Sequence, residues 1–114
     1  MAFCLDSWSV LAWLDGDEPA AEAVDDALGR ERPAMSWINL VEVHYRTARD
    51  HGEAEADRVL EELRPRIAEH LPGVSAMRAA AGLKADHPMA LADCFAVALA
   101  TSEQAVLLTG DPET

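Results

Sequence analysis

Three short, largely apolar runs stand far apart in this chain: AFCL at 2–5, PAMSW at 33–37 and AVLLTGD at 105–111. The stretches between them carry helical spacing. A short continuous apolar run reads as a strand buried on both faces, rather than as a half-exposed strand with alternating polarity. Such strands, separated by helical segments, make a parallel sheet with helices on both faces. The expected fold class is α/β, in one domain over residues 1–114. The chain stops at Thr114, directly after the last apolar run, which leaves open whether a further edge strand completes the sheet.

The helices have readable ends. SWSVLAWL starts after Asp6 and closes at Gly16. DEPAAEAVDDALG runs from its acidic residues and Pro19 to Gly29. A helical pattern from about Ile38 to Asp50 closes at His51-Gly52. Residues 53–69 read as a polar amphipathic helix that Pro65 must bend or stop, and HLPGVS (70–75) as a strand or a turn. AMRAAAGLKADH is helical up to Pro88, and MALADCFAVALATS (89–102) is an apolar helix.

Charge and composition exclude several classes. No apolar run reaches the ~18 residues of a membrane span, and MAFCLDSW lacks the basic start and cleavage site of a signal peptide. Cys4 and Cys94 are isolated in apolar surroundings, which reads as buried free thiols in a reducing cytoplasm. The net charge of −12 argues against a broad basic face for nucleic acid. Seven of the nine basic residues nevertheless fall between Arg46 and Lys84, so a local basic rim is compatible with that total.

The apolar helix at 89–102 poses the chemical question, because it contains a carboxylate, Asp93. A buried bare charge is costly unless it is compensated. Helix capping and the helix dipole offer one compensation, the latter of ~0.3–1 kcal/mol; a bound cation offers another. Three further acids invite the same choice. Asp6 follows the first strand and is also an ordinary helix cap. Glu42 fits a capping box with Asn39, or an ion pair with Arg46 on the same helix face. Asp111 follows the last strand inside a common Gly-Asp-Pro turn. Jointly, two acids at strand ends and two in early helical turns face one rim of a parallel sheet. Ligands bind at that rim in such folds. Carboxylates crowded there repel one another, and an all-oxygen set suits Mg²⁺ or Mn²⁺. Zinc is disfavoured: His44 lies on another face from Glu42, and His51, His70 and His87 read as solvated turn residues. Phosphate-loop and Ser-His-Asp arrangements are absent from the chain.

FCLDSWSVLAWL, WINLVEV, MALADCFAVALA and VLLTGDPE resemble, in order and spacing, the four acidic motifs of PIN-domain nucleases. In size and in its small-residue helices the chain is similar to the VapC toxins of bacterial toxin–antitoxin pairs. The resemblance implies a PIN-like α/β fold and metal-dependent hydrolysis of RNA phosphodiester bonds. It also implies Mg²⁺ or Mn²⁺ as cofactor, an antitoxin as partner and a homodimer. Asp6, Glu42 and Asp93 match the family's core metal-binding acids, and Asp111 matches the fourth, more variable one. Ser7 and Thr109 stand at supporting positions beside them. Cys94 departs from the commoner Ala, and the chain ends before the family's last strand. Arg46 and Arg49, one and two turns beyond Glu42, are expected either to line an RNA path or to pair with nearby acids. Two rival readings keep all four acids but no chemistry: an inactive PIN-like binding module, and an acidic interaction domain in which each acid is a cap or a surface pair.

Overall fold

The computed structural model describes residues 2–109. Its centre is a sheet of four parallel strands, β1 (Phe3–Leu5), β2 (Ala34–Ser36), β3 (Ala68–His70) and β4 (Val106–Leu108), in the order β3-β2-β1-β4. Six helices connect them: α1 (Ser7–Asp15), α2 (Ala20–Arg30), α3 (Trp37–His51), α4 (Glu53–Leu63), α5 (Val74–Asp86) and α6 (Leu91–Ser102). The α/β fold with a short parallel sheet is thus as expected.

Register separates two cores. Cys4 pairs with Ala34 and Leu5 with Met35, and alternate residues of a strand face opposite ways. Leu5 and Met35 join Val10, Val24, Leu28, Leu40, Val43, Val59 and Leu63 of α1 to α4, and Ile67 just ahead of β3, in a core of large aliphatic groups. Cys4 and Ala34 instead meet Ala100, with Leu99, Ala105 and Leu107 packed alongside. Helix α6 lies on that second face, and α5 packs against α6. No helix among the described residues is long and apolar enough to cross a membrane.

Three local expectations are corrected. The segment read as one helix over 53–69 stops at Leu63, passes through a short 3-10 turn at Arg64–Arg66 around Pro65, and becomes β3. The strand thus ends on the first residue of HLPGVS, and His70 is its last residue rather than a turn residue. Its Nε2 stands 3.5 Å from Glu103 Oε1. Strand β3 escaped the apolar criterion because it is an edge strand with half-buried, mostly polar residues. Gly29 does not end α2, which continues to Arg30.

The order of strands creates the crevice that matters. From β1 the chain adds β2 and then β3 on one side, and β4 returns to the other side of β1. Between β1 and β4 the winding reverses, and the carboxyl ends of these strands flank the place where open α/β sheets bind ligands.

Candidate functional site

Asp6 occupies that place. It directly follows β1, and its N–H donates to the Leu108 carbonyl of β4 at 3.3 Å, extending the ladder by one residue. It also caps α1: one carboxylate oxygen accepts the Ser9 N–H at 2.7 Å, and the Ser9 hydroxyl donates to the Asp6 carbonyl at 3.0 Å. Asp6 is only 3% exposed, and Ser7 and Ser9 are fully buried. The capping explanation of Asp6 is correct, yet a cap needs no such burial, and the carboxylate lies at the switch point.

Glu42 is half-buried in α3, one turn beyond Asn39. The capping box expected of Asn39 and Glu42 is not formed, because α3 starts three residues earlier than that box requires. Ser36 is the cap and accepts the Ile38 N–H at 3.2 Å. The ion-pair expectation holds: Glu42 Oε2 is 3.5 Å from Arg46 Nε. That contact lacks hydrogen-bond alignment, since Arg46 Nε is buried without a hydrogen-bond partner. The Arg46 guanidinium lies over the Trp8 ring, 4.9 Å from its centroid. Arg49 is exposed and pairs with Asp50 at 3.0 Å.

Asp93 is half-buried and is the third residue of α6, inside its first turn. The cap position belongs to Ala90, which has no side chain to offer. Asp93 is therefore not the N-cap residue, although it gains from the helix dipole. Thr109 is half-buried directly after β4 and shares a groove with Trp8. Asp111 lies outside the described residues.

The residue that sequence reasoning missed is Asn39. Its side chain is completely buried, and its Nδ2 donates to Ser7 Oγ at 3.0 Å and to the Ala92 carbonyl at 3.2 Å. Ser7 Oγ in turn donates to the Asn39 carbonyl at 3.3 Å. The neighbour of Asp6, the residue before Asp93 and the turn below Glu42 are thus connected by one amide. Its signal in the sequence was an amide between Ile38 and Leu40, which capping explained too readily.

Among the described residues no group of three His, Cys, Asp or Glu forms a ready coordination shell. The donor chemistry still fits a hydrated hard cation. Asp6, Glu42 and Asp93 supply only oxygen, and Mg²⁺ characteristically keeps several waters while taking one or two carboxylates. Asn39 Oδ1 is a buried acceptor without a hydrogen-bond partner, and a coordinated water is a strong donor for such an atom. Beneath the rim, burial and then the negative charges of Asp6 and Glu103 push the Cys4 thiol up to about 12.

No curated protein matches the sequence. Among solved structures, a toxin–antitoxin complex from Klebsiella pneumoniae contains a similar chain. It has 19% identity and a TM-score of 0.74, over 94% of this chain and 83% of that one. VapBC2 from Rickettsia felis, bound to a DNA fragment from its promoter, gives 16% identity and 0.72, over 94% and 85%. VapBC-1 from nontypeable Haemophilus influenzae gives 24% identity and 0.68, over 94% and 84%. These likenesses are of fold. The PIN domain family model matches residues 3–113, and this chain belongs to the PIN domain family.

Proposed function

We propose that this chain is a metal-dependent endoribonuclease and the toxin of a toxin–antitoxin pair, acting in the cytoplasm, with residues 1–114 forming one PIN-like domain. PIN domains are generally nucleases. The observation that carries the reading is the set of ties at the switch point, where Asn39, one turn before Glu42, is bonded to the residues adjoining Asp6 and Asp93.

Asp6, Glu42 and Asp93 would hold Mg²⁺ or Mn²⁺, with Asp111 as a further acid from beyond the last strand. When bound, the cation supplies Lewis-acid polarisation of a phosphate and a more acidic water. The protein's own part is orientation. Ser7 and Thr109 support the strand ends, and burial of Asp6 keeps its carboxylate in one rotamer by way of the Ser9 N–H. Arg46, held between Glu42 and Trp8, and exposed Arg49 are proposed to line the approach of the RNA backbone. Because Arg46 is paired with Glu42 and Arg49 with Asp50, a bound cation would supply the positive charge that a polyanionic substrate meets on a chain of net charge −12. An antitoxin and a second copy of the chain are the proposed protein partners, the first by likeness to the complexes above.

RNA cleavage tests the reading. The wild-type chain with MgCl₂ or MnCl₂ is expected to cut single-stranded RNA. Chelation or Asp93→Asn is expected to remove at least ~100-fold of the rate, the scale of losing a direct electrostatic stabiliser. A folded wild type that binds RNA without cutting it under either metal would instead favour the inactive binding module.

A further inference from the structure

We propose that Asn39 is the positioning residue of the site: its amide sets the spacing of the candidate acids by clasping α1, α3 and α6 together. The proposal rests on the reading of this rim as a metal centre. Both Nδ2 hydrogens are used, one on Ser7 Oγ and one on the Ala92 carbonyl. A carbonyl can only accept, so the amide orientation is fixed and cannot be flipped. Ser7 follows Asp6, Ala92 precedes Asp93, and Asn39 lies one turn before Glu42. Each bond thus ends one residue from a candidate ligand.

The same amide leaves Oδ1 buried and without a hydrogen-bond partner. A group chosen only to stitch helices together gains nothing from a buried, unsatisfied acceptor, which carries a desolvation penalty. A water carried by a cation at the rim would supply a donor for that acceptor.

The test is Mn²⁺ binding to the full chain by titration calorimetry, read beside the melting temperature of the metal-free protein. Wild type, Asp93→Asn, Asn39→Leu, Ser7→Ala and Thr47→Ala are compared. Asn39→Leu removes both donors at similar volume. Ser7→Ala removes one acceptor and keeps the fold accessible if the leucine variant does not fold. Thr47→Ala, a buried hydroxyl two turns further along α3, is the control. Loss of groups that orient metal ligands characteristically weakens binding by about 10–100-fold, and that loss is expected for Asn39→Leu and Ser7→Ala. Thr47→Ala is expected to bind as wild type does, with a metal-free melting temperature no higher than that of Ser7→Ala. The double variant Asn39→Leu/Ser7→Ala is expected to be no weaker than the worse single, because one clasp is broken twice. Folded Asn39 and Ser7 variants that match wild-type affinity within about twofold, well below that range, overturn the proposal alone. Wild type that takes up no Mn²⁺, or Asp93→Asn that binds unchanged, overturns the metal reading and this proposal with it.

Discussion

The two faces of the sheet differ in the size of what covers them. Leu5 and Met35 look into a layer of leucines and valines from α1 to α4, joined by Ile67 ahead of β3, whereas Cys4 and Ala34 meet Ala100 of α6. The difference separates two tasks. Burial of large aliphatic groups stabilises the fold in proportion to the area removed from water. Small groups contribute less area but let a helix approach the sheet closely. On the small face the helix that approaches is the one bearing Asp93. The alanines Ala96, Ala98 and Ala100 are each at most 7% exposed, so the position of α6 is fixed by contact rather than by tether.

Breaking the large face should cost stability and spare the site. Leu63 is buried in α4 on the side of the domain away from α6. Leu63→Ala is expected to destabilise by about 2–5 kcal/mol, measured from denaturant midpoints. The folded fraction should still bind Mn²⁺ with wild-type affinity. A parallel loss of affinity would mean that the two faces are not separable.

Overfilling the small face should do the reverse. Ala96 lies one turn beyond Asp93, is 1% exposed, and its carbonyl accepts the Cys4 thiol at 3.8 Å. Ala96→Leu inserts carbon where the helix and sheet already touch, an overpacking cost of about 1–3 kcal/mol. The expected signature is a smaller stability loss than that of Leu63→Ala with a larger loss of Mn²⁺ affinity. Calorimetry on both variants decides it; equal affinity in the two would show that the alanines do not set the position of Asp93.

The same contrast explains what the sequence disclosed. Strands β1, β2 and β4 and the ends of α1 and α3 were readable because apolar runs and a glycine at φ 72 after α1 act locally. Strand β3 was not, because an edge position tolerates Ala-Glu-His and only pairing with β2 makes it a strand. The acids were legible as candidates by type and order. Their alternatives were not: whether Asp93 is a cap depends on where α6 begins, and Ala90 takes that place. Asn39 was opaque for a stronger reason. Its partners are 32 and 53 residues away, and no local pattern encodes a bond of that separation.

The smallest expected effect is the absence of a reaction. Cys4 and Cys94 are both free and fully buried, and the Cys4 thiol is pushed up to about 12, so its nucleophilic thiolate is scarce near neutrality. An aromatic disulfide reagent at pH 8 should leave both thiols untouched in the native protein and titrate both in guanidinium. Labelling must then pass through opening of the small face, and its rate distinguishes local from global opening. If the face opens only when the whole domain unfolds, Leu63→Ala should raise the labelling rate by the same factor as it raises the unfolded population. If α6 lifts on its own, Leu63→Ala should leave that rate unchanged while Ala96→Leu raises it. The second outcome would make α6 an independently moving carrier of Asp93, and the sharp division between a stabilising face and a positioning face would become a division between a rigid one and a mobile one.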